Sequence, residues 1–469
     1  MNRKISDEDT IAAISTPLGE GGIGVVRLSG KDAVAVADSL FESSTKKRVA
    51  DQKTFTVQHG HVVLKNGAHL KETVDESLLL LMRAPKSYTC EDVVEISAHG
   101  GSAVLRKILE LAVQAGARLA LPGEFTKRAF LNGRIDLLQA EAVLDLIQAK
   151  TEQSRRWAAS QLGGSLSRNM QGMKDELVGI LSHLEAAVDF PDDFPETESI
   201  PEIKKKFHKL ENEVKAMLNS SELGLLAKRG LKVVILGRPN VGKSSLMNCL
   251  IKANRVIVTP YPGTTRDVVE EEMQIGGFPV RILDTAGIQD TEHPIEKEGI
   301  ERSRKAILSA DLILFVVDGS KVLGEADKKL LEETESSQKI LVVNKVDLPK
   351  KFDPEILQAI ANKDVPVVES SCVTGNGVEA LEKEILRFIL GGRAQVPDET
   401  VVSSVRQKDL LEKMLLSLQN ASEACTKNLS PEFIAVDVRL TLDHLGVLVG
   451  EVVTDDVLDV IFERFCIGK

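Results

Sequence analysis

One stretch decides the fold of the central part of the chain: Leu231-Lys-Val-Val-Ile-Leu236-Gly237-Arg-Pro-Asn-Val-Gly242-Lys243-Ser244. Its first six residues are mostly apolar, as in a strand buried on both faces of a sheet. The next eight fit G-x-x-x-x-G-K-[ST], in which main-chain N–H groups surround phosphates, the lysine reaches the β- and γ-phosphates and the hydroxyl ligates Mg²⁺. The stretch therefore predicts a nucleoside-triphosphate site at a strand-to-helix turn.

Further short apolar runs follow this motif, at 280–283, 312–317, 340–343 and 365–368, with helical patterns between most of them. Continuous apolar strands that alternate with helices are typical of a parallel sheet covered on both faces. An α/β domain with a parallel sheet flanked by helices is therefore expected here, and the glycine pair Gly391-Gly392 marks its expected end.

Polar motifs at the ends of these runs identify the base as guanine. Asp284-Thr-Ala-Gly287 follows one apolar run, and Asn344-Lys345-Val-Asp347 follows another. An aspartate at 347 can accept from both N1–H and N2–H₂ of guanine, which adenine cannot offer. The predicted GTP-binding residues are Asn240, Val241, Gly242, Lys243, Ser244, Ser245, Thr259, Thr264, Thr265, Asp284, Thr285, Ala286, Gly287, Asn344, Lys345, Asp347 and Ser371, of which Ser244 and Thr265 are also expected on Mg²⁺.

Hydrolysis needs a device other than the glutamine that many small GTPases place after Asp-x-x-Gly, because Ile288 stands at that position. Asn240 has a carbonyl that could help to hold a monovalent cation against the phosphates. Glu296 is a carboxylate on a segment that could swing over the site, although an exposed helix face is the alternative reading. A cation there would neutralise developing charge, as an arginine finger does.

The segments around the α/β block divide the chain into four parts. Residues 1–120 mix β-like runs with a helical one and predict an α+β domain. Residues 121–222 and 393–469 have helical periodicity, so a GTPase domain at 223–392 is expected to be inserted into a discontinuous helical domain.

Composition limits the partners and the compartment. Net charge is -11, so non-specific phosphate neutralisation of RNA is not expected. No apolar run has the about 20 residues that a membrane span needs, and the N-terminus has no secretory apolar core. The five cysteines stand singly, which favours a reducing cytoplasmic location.

Several flanking motifs resemble a known family. They are the runs from Asp9 to Gly30, from Ser87 to Glu95, His99-Gly-Gly101, the run from Pro122 to Ala142, and the ending Phe465-Cys466-Ile467-Gly468-Lys469. Together they resemble the tRNA wobble-uridine modification GTPases of the MnmE (TrmE) family over essentially the whole chain.

The resemblance implies a specific chemistry. Such proteins use a one-carbon unit on 5-formyl- or methylene-tetrahydrofolate and work with an FAD-containing partner of the MnmG (GidA) family. Together they build an aminomethyl-type group on C5 of the wobble uridine, position 34, of certain tRNAs. The N-terminal domain is expected to bind folate and to form a homodimer. Because the chain is acidic, most of the contacts that bind tRNA are expected to come from the partner. By motif match, the folate contacts fall on Arg27, Glu95, Arg134 and Lys469.

The resemblance also assigns individual positions. Asn240, Thr259, Tyr261 and Thr264 fall at the family's potassium-binding positions, and Glu296 falls at its catalytic glutamate. Cys466 matches a cysteine for which a catalytic role is implied, with a buried structural thiol as the alternative. Cys90 departs from the family's usual glycine, and its Cβ would crowd a turn if φ there were positive.

A ribosome-assembly regulatory GTPase is the alternative from another functional class. Such GTPases carry a basic RNA-binding domain, whereas residues 393–469 have 8 basic and 13 acidic side chains. The charge count therefore favours the modification enzyme.

Overall fold

A computed structural model describes residues 9–66, 70–190, 199–254, 270–284, 307–351, 365–393 and 401–469. The chain forms two compact units. The first contains residues Met1–Leu144, Gln161–Asp175 and Leu442–Lys469, and the second contains Asp145–Ser160 and Glu176–Thr441. Both units are therefore assembled from segments far apart in the sequence.

The first unit is built on a seven-stranded sheet of order β3-β4-β5-β6-β2-β1-β7. Its strands are β1 (Ile11–Ile14), β2 (Gly24–Ser29), β3 (Phe41–Ser43), β4 (Thr56–Asn66), β5 (Leu70–Met82), β6 (Val93–Ala98) and β7 (Arg118–Leu119). All neighbours are antiparallel except β1 and β7. Helices α1 (Ala33–Leu40) and α2 (Ser102–Gln114) share a hydrophobic core with the sheet, which confirms the α+β prediction.

Three further helices contribute to the first unit: α3 (Glu124–Leu131), α4 (Leu137–Gln148) as far as Leu144, and α13 (Asp455–Phe462). Leu137 and Ala140 of α4 pack with Phe462 and Phe465 in one apolar cluster. The C-terminal segment is thereby fixed beside the N-terminal domain.

The second unit contains a six-stranded sheet of order β13-β12-β11-β8-β10-β9. Its strands are β8 (Leu231–Leu236), β9 (Glu270–Ile275), β10 (Phe278–Asp284), β11 (Leu312–Asp318), β12 (Lys339–Asn344) and β13 (Val367–Glu369). Five strands are parallel as predicted, but β9 pairs antiparallel with β10 and makes the sheet mixed. This edge strand was missed because Glu-Glu-Glu-Met-Gln-Ile is too polar for an apolar-run signal.

Helices α8 (Lys243–Asn254), α9 (Glu325–Glu333) and α10 (Val378–Ile389) belong to this α/β part. The chain also forms the helices α5 (Glu152–Leu162), α6 (Ser165–Asp189), α7 (Ser199–Arg229), α11 (Val405–Thr426) and α12 (Pro431–Val449). Helical segments thus flank the α/β block on both sides, as predicted. Because α7 continues to Arg229, it crosses the boundary expected at 222, and the four domain limits stay predictions.

Helix α7 packs closely at Gly224 against the segment that precedes α11. A Cβ at this position would meet the side chain of Val401 at 2.6 Å and would also collide with the main-chain oxygen of Val402.

In the parts of the chain that the structure describes, none of the helices combines the length and apolarity needed to cross a bilayer.

Candidate functional site

The phosphate loop, residues 237–244, connects the buried strand β8 to α8. Gly242 has a φ of 100° and lies so close to the Asn344 amide that any Cβ would collide with it. Lys243 is buried, and its Nζ donates to the main-chain oxygens of Gly237 (2.9 Å) and Arg238 (3.0 Å). The loop therefore curls around its own lysine, with Ser244 and Ser245 exposed in the first turn of α8.

The end of β12 is hydrogen-bonded to the phosphate loop. The buried Asn344 donates from Nδ2 to the main-chain oxygen of Val241 at 2.9 Å. Lys345 donates from Nζ to the main-chain oxygen of Asn240 at 2.7 Å and pairs with Asp318 at 2.8 Å. These contacts hold the Asn-Lys-Val-Asp motif against the loop, as expected where parallel strands end at one edge of a sheet.

Asp318 was not identified from the sequence, although it ends the apolar strand β11. Burial acts to raise the pKa of its carboxyl, but hydrogen bonds from Lys345 and Ser320 outweigh this and lower the pKa. The carboxylate therefore stays ionised and orients Lys345.

The base loop, residues 370–377, presents a hydroxyl to the predicted guanine-reading carboxylate. Ser371 is buried, and its Oγ donates to Oδ1 of the exposed Asp347 at 2.6 Å. Cys372, the next residue, donates from Sγ to Oδ1 of Asn344 at 3.4 Å. The structure thus brings together the predicted residues from the phosphate loop, β12 and the base loop.

Other predicted nucleotide-site residues lie at the end of β10 or outside the described part of the chain. Asp284 is the last residue of β10, at the same sheet edge as the phosphate loop, because it pairs with Ile235 of β8. The remaining ones lie outside the described residues, namely Thr259, Tyr261, Thr264, Thr265, Thr285, Ala286, Gly287 and Glu296.

A second cluster of charged residues lies in the first unit, where β2 and β6 are neighbours. Arg27 and Glu95 are register partners across the two strands, and their side chains form an ion pair with an Nε–Oε1 distance of 2.8 Å. Both side chains are mostly buried, so water screens the pair less than it would at the surface.

Tyr88, for which the sequence predicts no role, forms an aromatic platform beside this pair. The guanidinium carbon of Arg134 lies 4.8 Å from the Tyr88 ring centroid, and that of Arg27 lies 5.7 Å from it. Arg134 also donates to the main-chain oxygen of Tyr88 at 2.9 Å, and the tyrosine hydroxyl is hydrogen-bonded to Thr126. Such cation–π geometry keeps two positive charges on one ring.

The C-terminal segment completes the cluster. Arg27 donates from Nη1 to the main-chain oxygen of Gly468 at 3.1 Å. Burial and the nearby Arg27 lower the pKa of Lys469, while Glu95 and Cys466 act in the opposite direction. All four predicted folate contacts are therefore brought together, directly or through Tyr88.

Cys466 is exposed, so its alternative reading as a buried structural thiol is wrong. Gly468 has a φ of 90°, and a Cβ there would lie 2.5 Å from the main-chain oxygen of Ile14. The tail passes so close to β1 that only glycine fits.

The loop that carries Tyr88 rests on a buried charge network that the sequence analysis did not identify. Arg128 on α3 pairs with Asp9, Glu91 and Glu124, and Arg118 also pairs with Asp9 and Glu124. Burial acts to lower the pKa of Arg128, but its carboxylate partners raise it overall. Because Arg128 holds Glu91, the network fixes the segment that follows Tyr88.

Cys90 in this loop adopts a left-handed conformation with a φ of 62°. Because φ is positive, the Cβ of Cys90 crowds the turn as expected, and the loop carries local strain.

Fold and site geometry together define a class: a P-loop nucleotide-binding domain combined with an α+β domain and helices on either side of the insertion. Two family descriptions match the chain. "GTP-binding protein TrmE N-terminus" matches residues 10–134, and "MnmE helical domain" matches residues 137–466.

Relatives match over nearly the whole length. The tRNA modification GTPase MnmE of Thermoanaerobacter pseudethanolicus is 44% identical over 461 residues, covering 98% of this chain and 99% of the relative. The MnmE of Geobacillus thermodenitrificans is 43% identical, covering 99% and 100%. The MnmE of Enterococcus faecalis is 42% identical, covering both chains fully. The chain therefore belongs to the MnmE family of tRNA modification GTPases.

One solved structure is also similar, the G domain of the T. maritima FeoB iron transporter. It is 32% identical, covers 34% of this chain and 98% of its own, and has a TM-score of 0.26.

Proposed function

We propose that the second unit binds and hydrolyses GTP between the phosphate loop and the base loop. Lys243 would leave its loop carbonyls for the phosphates, and Asp347, oriented by Ser371, would accept from guanine. The observation that supports this is the hydrogen-bonded chain from the phosphate loop through Asn344 and Lys345 to the base loop. Asp347 lies beyond the end of β12, and its exposed carboxylate can accept hydrogen bonds from the edge of a guanine base.

Two cations belong to the same proposal. The donor set is oxygen, which suits both Mg²⁺ and K⁺: a hydroxyl at Ser244 and the proposed ligand Thr265 for Mg²⁺, and Asn240 with Thr259, Tyr261 and Thr264 for K⁺. Asn240 has a φ of 65°, which asparagine tolerates. Its main-chain oxygen accepts a hydrogen bond from Nζ of Lys345. Bound cations would neutralise charge developing on the phosphates. Glu296 would orient or deprotonate the attacking water.

The cluster in the first unit suits a folate, and we assign it that ligand. Glu95 can accept from the N–H groups of a pterin, while Arg27, Arg134 and Lys469 can pair with an anionic glutamate tail. Three cations around one carboxylate leave the cluster positive, which fits a ligand that carries carboxylates. The aromatic ring of Tyr88 holds Arg27 and Arg134 beside each other at this site.

An exposed apolar face of the N-terminal sheet supports a proposal for assembly. Val57 and Leu78 are exposed on the sheet face opposite the buried Leu79 and Leu81, and Phe55 beside them is also exposed. An apolar face of this kind is suited to a second copy, so we propose a homodimer through the domain 1–120. The remaining proposed domains are the helical parts 121–222 and 393–469 and the GTPase domain 223–392.

The reaction we propose adds a carboxymethylaminomethyl- or aminomethyl-type group to C5 of uridine 34 in certain tRNAs. It would take a one-carbon unit from 5-formyl- or methylene-tetrahydrofolate and work in the cytoplasm with an FAD-containing MnmG-family partner. With a chain of net charge -11, much of the tRNA grip would come from that partner.

Mass analysis of tRNA nucleosides from cells lacking the protein tests the proposal. Loss of the modified wobble uridine, restored by the wild-type gene and not by one encoding Arg27→Ala, is the expected result. Unchanged wobble uridines would contradict it.

A further inference from the structure

Two free cysteines meet between α8 and the base loop. Cys249 lies on α8, and Cys372 directly follows Ser371. The Cys249 thiol donates to the main-chain oxygen of Cys372 with an S–O distance of 3.4 Å, and both half-buried side chains pack against the same hydrophobic core. The pair therefore joins the helix of the phosphate loop to the loop beside the base.

The Cys372 thiol also takes part in the nucleotide-site hydrogen bonds. It donates to Oδ1 of Asn344, whose amide holds the main-chain oxygen of Val241. Burial and the adjacent Cys249 thiol raise the pKa of Cys372 to about 11. At neutral pH Cys372 is therefore a protonated thiol that can serve as the S–H donor to Asn344.

We propose that Cys249 and Cys372 form a reversible disulfide under oxidation, and that this modification weakens guanine-nucleotide binding. The effect on nucleotide binding rests on the proposed function, whereas the disulfide itself does not.

The oxidant is a hydroperoxide, and the step balances. Cys249 loses its thiol proton and attacks the peroxide, whose O–O bond breaks, to give a sulfenic acid and, from hydrogen peroxide, a hydroxide that takes up this proton as one water. The Cys372 sulfur then attacks the Cys249 sulfur, and its proton leaves with the displaced hydroxyl as a second water. Two thiols are oxidised, one peroxide is reduced, and a thiol reductant reverses the change.

Oxidation alters the site in two ways. It removes the S–H donor from Asn344, so the amide that holds Val241 loses one of its contacts. It also ties the base loop covalently to α8, and Ser371 is the adjacent residue that orients Asp347. Both changes act on the residues predicted to read guanine.

The test treats the full-length protein with hydrogen peroxide, alkylates the remaining thiols and maps disulfide-linked peptides by mass spectrometry. We expect a peptide pair joined through Cys249 and Cys372, lost on adding dithiothreitol and absent in Cys249→Ser. Cys425→Ser, which removes a buried cysteine on α11, is the matched control and keeps the cross-link.

GTP affinity is measured on the same samples by calorimetry. It should fall by about tenfold in oxidised wild type and stay constant in peroxide-treated Cys249→Ser. The proposal would be overturned if Cys249 and Cys372 were both still alkylated, and therefore still reduced, after a treatment that oxidises Cys466. Unchanged GTP affinity in the cross-linked protein would also overturn it. Failure of the reduced protein to bind GTP would instead overturn the proposed function, because peptide mapping detects the disulfide independently.

Discussion

Arg27 on β2 donates a hydrogen bond to the main-chain oxygen of Gly468, 441 residues further along the chain. The same guanidinium pairs with Glu95, so one side chain joins the N-terminal sheet to the C-terminal segment. The candidate folate site therefore exists only when both are in place.

Replacing Gly468 should damage this site without touching its side chains. In Gly468→Ala the new Cβ would meet Ile14 and Ser15, so the tail and Lys469 must shift. We expect affinity for 5-formyl-tetrahydrofolate to fall by about tenfold by calorimetry, through loss of charge-assisted contacts. Gly172→Ala, which meets no atom within 4 Å, is the control and should bind normally.

The lowered pKa of Lys469 predicts how binding depends on pH. Burial and Arg27 disfavour the charged form, so Lys469 loses its proton at a lower pH than an ordinary lysine. Affinity for the anionic folate should be highest below that pKa and fall as pH rises through it, measured between about pH 7 and 10. Lys469→Arg stays charged and should flatten the profile over this range, and an identical fall in both proteins would exclude Lys469 as the cause.

Two neighbouring buried serines allow a matched test of guanine recognition. Ser371 donates to Asp347, whereas Ser370 Oγ has no hydrogen-bond partner among the residues that the structure describes. Ser371→Ala should weaken GTP binding by about fivefold, equivalent to about 1 kcal/mol for one hydrogen bond. Ser370→Ala should leave the Kd unchanged, and equal effects of the two substitutions would contradict the proposed role of Ser371.

Strain at Cys90 predicts a stabilising substitution. A non-glycine residue at a φ of 62° costs about 1 kcal/mol, which glycine avoids. We therefore expect Cys90→Gly to increase hydrogen-exchange protection of β2 amides by up to about 1 kcal/mol, with part of the gain offset by glycine's greater freedom when unfolded. Cys466→Ser should show no change, and a loss of protection in Cys90→Gly would mean that the Cβ contributes packing.

The proposed hydrolytic residues predict a separation of binding from turnover. Glu296→Ala should lower GTP turnover by about 10²-fold or more while GTP affinity stays close to wild type. The neighbouring substitution Glu298→Ala serves as the control. Turnover of wild type should also be much faster in potassium than in sodium salts, and equal rates would argue against the cation site.

The sequence predicted the parallel strands of the second unit well because buried strands are almost wholly apolar. It missed β9, whose glutamates lie on an edge strand, and also β1 and α1 in the first unit, which are short. Local patterns carry no information on pairing partners, so the place of these elements in each sheet could not be inferred.

The candidate site was partly accessible to sequence reasoning. The nucleotide-site motifs are local, and the structure brings those it describes together around Asn344 and Lys345. The contacts of Tyr88 and Asp318, by contrast, join residues that are distant in sequence. Only the tertiary fold reveals such contacts.

The position of Gly468 against β1 has a consequence for biosynthesis. The N-terminal sheet emerges from the ribosome first, yet Arg27 cannot meet its carbonyl partner until more than 400 further residues have been translated. During that interval the positive cluster lacks its final segment. A nascent or prematurely terminated chain is therefore not expected to capture folate.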